Sequence, residues 1–455
     1  MGIGKDLSET PFLSLKAYSD HPEVVVVAER LVASYQATLS RKLQTKLYLR
    51  DAKKLVASIW LHKGNFFRAT TKTVYYSKAQ RKQVWMTNRV LSLFKHMLSG
   101  MNPPWVRLRK KAIPPYASKS SYGYSSIYEP TGYFLRYISS LTYRDVLPNP
   151  DSPDVLFRDE NKVLIEQPGE FYESDQYKRL SAILKTQLSL LMDEGVIDSE
   201  GKYVGPFELK LTRIFTGKIG KGGRFYCPFQ NKRKVQRLAC KIGGQDVISM
   251  DISFCHPMLM LRIGWKQADE RGLFGLRTKD PYDMEGYGGL PREVTKVAIN
   301  ILFNASSLSS AHNALKNIYW DFDETDGEVW VRVFKPRQKR LGVRAFKGKE
   351  DQENFIERFK FLHHRFKNFI CTGIGLEMQW VDSILTTHLI KACNQEEIPM
   401  IPIHEEYLIK KNNKAKFRKI FIEVFKKQID PGVGGKLIVK WSEKNKEVRE
   451  ALTVT

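Results

Sequence analysis

Two acidic stretches carry the residue types that chemistry needs. "IPMIPIHEEYLIKK", residues 398–411, sets His404, Glu405 and Glu406 between two apolar runs that read as buried strands. Charges are costly in such a place unless something pairs with them, so a strand turn or a metal ion is expected there. "DVISMDISF" alternates Val247, Ser249, Asp251 and Ser253 against Ile248, Met250, Ile252 and Phe254. That pattern predicts a strand with one polar face, with Asp251 on it near the strand's end. Carboxylates from two strands can hold two Mg²⁺ ions, or Mn²⁺, about 4 Å apart and clamp an in-line phosphoryl transfer. Glu406 is an auxiliary ligand in this reading.

Two further elements must position a substrate against these acids. Residues 290–304, "LPREVTKVAINILFN", predict a helix with Pro291 in its first turn. Arg292 and Lys296 are four apart on one face, and Asn300 and Asn304 continue the stripe. Such a stripe can hold a triphosphate and neutralise its charge. Upstream lies a Gly-rich basic turn, "GKIGKGGRFYCPFQNKRK", with Gly222, Gly223 and Arg224. Each piece alone has a plainer meaning. A lone Asp after a strand is more often a turn cap, Arg and Lys four apart are usually a solvated face, and a Gly-rich turn is often a plain hairpin. The order of all four is the informative feature.

Around this core the chain divides by pattern. Residues 1–146 read as a basic, mostly helical domain, with Val84, Val90, Leu91, Phe94 and Leu98 at helical spacing. "RLRKKAIPPYASKSSYGYSSIY", residues 107–128, reads as a basic loop that touches phosphates, and "LPNPDSPD", residues 147–154, as a linker. Residues 155–204 form a helical connection whose main helix stops at Gly195. From there the expectation is residues 205–261 and 376–455 as two halves of one sheet-bearing domain, the latter ending in a basic amphipathic helix, with 262–375 inserted between them.

The 455 residues carry 74 Lys+Arg against 49 Asp+Glu, a net charge of +25, which favours a polyanionic partner, most simply nucleic acid. No apolar run of membrane-spanning length and no signal peptide is read, so a cytoplasmic protein with no membrane partner is expected. Cys227, Cys240, Cys255, Cys371 and Cys393 form no CxxC pair, which argues against a disulfide framework or zinc module. The adjacent His363 and His364 read as surface.

The order basic turn, acidic strand, phosphate helix, acidic hairpin resembles the nucleotidyltransferase core of family A DNA polymerases and of the single-subunit phage-type RNA polymerases. "SMDISFCHPML" is similar to motif A, "REVTK" to motif B and His404-Glu405-Glu406 to motif C. The arrangement of "GGRFY", "DISFCHP", "DPYD" and "HEE" resembles compact phage or mobile-element members. The likeness covers roughly residues 205–412. It implies an α+β right-hand fold with an antiparallel palm sheet (205–261 and 376–455), helical fingers (262–375) and a helical, thumb-like N-terminal region. It implies Asp251 and Glu405 as catalytic metal ligands, Arg292 and Lys296 on the phosphates, and His404 orienting the hairpin or primer end. It places Arg224, Tyr226, Gln230 and Gln379 on template or primer, and His256 beside the nucleotide's sugar. The chain departs from the pattern with Glu405 where motif C has Asp and Asn304 where motif B has an aromatic. The implied activity is template-directed extension of a nucleic-acid 3′ end from nucleoside triphosphates in phage or mobile-element replication, with dNTPs favoured by the bulk of His256. Three other readings use the same residues: a single-subunit RNA polymerase or primase, a metal-dependent nuclease, and an inactive polymerase homologue kept for nucleic-acid binding.

Overall fold

The computed structural model describes residues 17–63, 67–69, 88–111, 126–142, 144–148, 152–161, 163–165, 167–264, 280–284, 287–323, 328–334, 342–429, 435–444 and 446–454. The architecture is mixed α+β with antiparallel sheets. The chain forms two compact units, residues 1–212 with 227–233, and residues 213–226 with 234–455. No helix among the described residues is long and apolar enough to cross a membrane.

In the first unit, helices Pro22–Gln36, Thr45–Trp60 and Asn88–Ser99 bury their apolar faces in one core that extends from Ala17 to Val146. Val90, Leu91 and Phe94 lie in that core as the spacing predicts, while Val84 falls outside the described residues. The stretch expected as a basic loop is strand at both ends. Val106–Lys110 pairs with Ser126–Pro130, which also pairs with Phe67–Ala69, and residues 112–125 lie outside the description. Buried Val106 and Tyr128 hold this sheet on the core, a long-range pairing that the basic composition hides. The expected linker is also tied down. Leu147–Pro148 pairs with Ala17–Tyr18, and Asp154 is buried, accepting from Ser181 at 2.6 Å and ion-paired with Lys210 at 3.0 Å. Helix Asp175–Glu194 is capped by the Ser174 hydroxyl and ends at Gly195, whose φ of 77° is one that glycine adopts without strain.

The second unit is built on an antiparallel sheet with strands in the order Met400–Ile403, Glu406–Lys410, Gln245–Ile252, Gly435–Glu443 and Lys446–Val454. Tyr407 lies on the face covered by helices Gly375–Gln395 and Lys414–Gln428, touching Thr386, Phe417 and Phe421. The alternation in 246–254 predicts an open polar face, but Ser249 is fully buried. The reason is the short helix Lys234–Leu238, which lies over that side: Lys234 reaches Ser442 at 3.2 Å and Arg237 reaches Glu406 at 2.8 Å. The final hairpin, 435–454, follows the expected basic helix and was not anticipated from the pattern. Between the sheet's halves, helices Arg292–Asn304, Leu308–Leu315 and Lys349–Leu362 are joined by a three-stranded sheet, so this insertion is not purely helical. His363 is buried with its Nε2 3.0 Å from the Asp283 carbonyl, contrary to a surface position, whereas His364 is exposed.

The Gly-rich segment forms strand Lys218–Tyr226. Gly223 has φ +78°, and a Cβ there would meet the Phe215 ring at 2.6 Å and Ser383 Oγ at 3.0 Å. Both the backbone angle and the close packing exclude a side chain. Gly223→Ala is therefore expected to lower stability by about 1–3 kcal/mol. Urea unfolding of the full chain measures this, and a variant as stable as the wild type would contradict the packing.

Candidate active site

Asp251 is the penultimate residue of the central strand, just before the chain turns through Phe254, at φ 57°, into helix Cys255–Gly264. Its neighbour across the sheet is Glu406 on one side and Lys440 on the other. His404 and Glu405 form the two-residue turn between strands 400–403 and 406–410. His404 has φ 57°, a left-handed conformation uncommon for a side-chain-bearing residue; a positive φ at the first central position is what a type II′ hairpin turn requires. Glycine fits that position most easily, so a histidine there signals a constraint on the site. The Ile252 N–H donates to the Glu405 carbonyl and so ties the two acidic elements together.

A cavity of about 340 Å³ opens at this junction, lined by Arg224, Asp251, Phe254, His256, Tyr282, Arg292, Lys296, Asn300, Asn304, Glu405, Lys440 and Arg449, among others. Arg224 is its hub. Its Nε donates to Asp382 Oδ2 at 3.0 Å, and its Nη2 lies 3.1 Å from Glu405 Oε2 and 2.9 Å from His256 Nε2. A guanidinium only donates, so His256 Nε2 accepts and the ring is neutral with its proton on Nδ1. In agreement, burial and then the Arg224 charge bring His256 down to about 4. Burial alone would raise Glu405, but the Arg224 charge opposes it and this carboxylate lies below its usual range. Burial pushes Asp251 up to about 6; Lys440 opposes the rise, while Glu405 and Glu406 add to it. Asp382 is fully buried and rises to about 7 despite Arg224.

The helix stripe lines the same cavity. Arg292 is ion-paired with Asp280 and packs over Phe254 at 5.7 Å and Tyr282 at 5.5 Å; Lys296 lies 5.9 Å from the Tyr282 ring. The Thr295 hydroxyl donates to the Tyr282 carbonyl at 2.7 Å and locks that segment to the helix. Asn304 donates to the Asn300 carbonyl, and a Cβ on Gly375 would lie 1.7 Å from its Oδ1, so Gly375 makes the room that Asn304 occupies. Neighbouring Phe303 faces away into a cluster with Phe359 and Phe366.

Other expected site residues lie off the cavity wall. His404 packs edge-on against Tyr226 at 5.4 Å, and its buried Nδ1 has no hydrogen-bond partner among the described residues. Glu406 takes Arg237 with one oxygen, and its buried Oε1 has no partner among the described residues. Gln379 is half-buried on helix 375–395, and Gln230 lies in the short turn Pro228–Asn231 of the first unit. Tyr282, Phe254, Lys440 and Arg449 belong to the cavity and were missed as site residues. The "DPYD" stretch was a local signal for Tyr282, but a lysine and an arginine in an alternating strand offer none. Among the described residues no cluster of three or more His, Cys, Asp or Glu is set to hold a metal ion. Asp251 instead holds Lys440 at 3.3 Å and Glu405 holds Arg224. No protein-family model and no curated protein sequence matches this chain.

The Asp382 shift has a stability consequence. An acid whose pKa rises on folding binds more protons folded than unfolded, so its contribution to stability falls as pH increases from its ordinary value to the folded one. Asp382 should therefore cost stability progressively between about pH 4 and 7. Asp382→Asn cannot titrate, so the variant's stability deficit relative to the wild type is expected to shrink over that interval. Urea unfolding at pH 4.5 and 7.5 checks this; a deficit that widens with pH would mean that Arg224 outweighs burial.

Proposed function

We propose that this chain is a template-directed nucleotidyltransferase, DNA polymerase-like, that extends a nucleic-acid 3′ end by two-metal phosphoryl transfer in phage or mobile-element replication. The observation that carries the reading is the meeting of Asp251 and Glu405, from separate strands, with Arg292, Lys296 and Asn300 in one cavity. The motif resemblance supports it, as does the +25 net charge. In the finer fold reading the sheet is a palm, the insertion around helix 292–304 forms fingers, and the N-terminal unit is thumb-like.

The donor set fits magnesium. Carboxylate oxygens are hard ligands. Burial raises Asp251 and the neighbouring Glu405 and Glu406 add to the rise, and a divalent charge would offset both. Each acid also already attracts a cationic side chain. Asp251 and Glu405, with Glu406 as auxiliary, would hold two Mg²⁺, which when bound lower the pKa of a 3′-hydroxyl and neutralise a triphosphate. Arg292 and Lys296 bind phosphate oxygens, with Arg292 steadied by Asp280 and the two aromatic rings. Arg224 fixes the Glu405 carboxylate and the neutral His256 ring. The imidazole then crowds a ribose 2′-hydroxyl and favours dNTPs, while Asn304 offers a polar contact in place of an aromatic wall.

A second reading, an inactive nucleic-acid-binding homologue, draws on one observation: both carboxylates are occupied by side-chain cations. Magnesium-dependent extension of a primed template by the purified chain, with dNTPs and rNTPs in parallel, separates the two. Asp251→Ala and Glu405→Ala are each expected to reduce synthesis at least about 100-fold while nucleic-acid binding survives. Near-normal synthesis by either variant would remove the metal assignment. A wild type that binds primed template without extending it would favour the inactive homologue, and a preference for rNTPs would favour the RNA polymerase or primase form.

The charge makes a separate claim on binding. The plot of log K against log salt for a primed template is expected to have a slope steeper than about −3, since each neutralised phosphate contributes about −0.7 to −0.9. A flat response in a fluorescence-anisotropy titration would detach the net charge from nucleic acid.

A further inference from the structure

The last hairpin contains an arrangement that its own stability does not explain. Lys440 and Arg449 are direct cross-strand partners in the pair Gly435–Glu443 and Lys446–Val454. Residues directly opposite one another present their side chains on one face, and like charges so placed repel. Asp251 is the partner of Lys440 on its other side, and Glu406 is the partner of Asp251. One row across the sheet therefore reads Glu406, Asp251, Lys440, Arg449, two acids followed by two bases.

Lys440 is compensated, at 3.3 Å from Asp251 Oδ2 and 3.7 Å from Glu447 Oε2. Arg449 is exposed and pairs with no carboxylate among the described residues. Its sequence neighbour Glu450 is taken up by Arg418 at 2.7 Å and by the Trp441 indole N–H at 2.8 Å. Lys440 and Arg449 both line the cavity that contains Asp251 and Glu405. A guanidinium beside a second cation in a cavity wall suits a phosphate, whose oxygens match the planar donor fork. Bound phosphate would also relieve the repulsion within the row.

We propose that Lys440 and Arg449 form a phosphate-binding site on the C-terminal hairpin, holding a phosphate of the substrate beside Asp251. The proposal rests on the nucleotidyltransferase reading for its substrate class. That phosphate belongs either to the nucleoside triphosphate or to the backbone at the 3′ end being extended.

The test compares the full chain with Arg449→Ala and Arg449→Lys in two equilibrium titrations, one with dATP and one with a primed-template oligonucleotide. For one of the two ligands the Ala variant is expected to bind about tenfold more weakly and the Lys variant to recover part of the loss. A loss confined to dATP assigns the triphosphate. A loss confined to the oligonucleotide, with the salt slope smaller in magnitude by about 0.7–0.9, assigns the backbone. Unchanged affinity for both ligands overturns the site. Binding is read without synthesis, so the two claims fail separately. A chain that extends no primer but shows the Arg449 effect loses only the nucleotidyltransferase reading; an active chain with no Arg449 effect loses only the hairpin site.

Discussion

The site depends on one largely buried guanidinium. Arg224 bonds Asp382 on helix 375–395, Glu405 in the hairpin turn and His256 on helix 255–264. A charge in that position is tolerable because it is paired and hydrogen-bonded, and removing a partner from such a network typically costs about 3–5 kcal/mol. A second buried arginine supports it. Arg213 donates to the Gly223 carbonyl at 2.8 Å and to Ser383 at 2.9 Å, with its guanidinium against Phe215, Phe225 and Trp380. Burial brings it down to about 10. The backbone of Gly223 is thereby held just where Arg224 leaves the strand, which explains why the glycine, both arginines and Asp382 form one mechanical unit.

Charge is distributed across the sheet in the same economical way. The Glu406–Asp251–Lys440–Arg449 row places acids next to acids and bases next to bases, with one direct ion pair in the middle. A surface row arranged only for stability would alternate its signs. Here the ends of the row stay electrostatically unsatisfied within the sheet, and Arg237 reaches in from the helix above to compensate Glu406. That separation of sign agrees with the substrate proposed above, which would bring both phosphate and a divalent cation.

Local sequence alone specified several pieces of this arrangement. The apolar runs on either side of His404-Glu405 read as two buried strands with a turn between them, and they fold as a tight hairpin. Residues four apart on a helix share a face whatever surrounds it, so Arg292, Lys296, Asn300 and Asn304 reach a common cavity. Gly195 ends its helix because a left-handed residue there favours glycine. What the tertiary structure decided was every relation across distant segments. Ser249 looks like a solvent-facing residue until helix 234–238 covers it, and His363 looks exposed until the Asp283 carbonyl meets it. The strands at 106–110 and 126–130 are concealed in a basic stretch because their pairing is not local. Lys440 and Arg449 reached the cavity through strand register, a property of two partners that neither strand's sequence contains by itself.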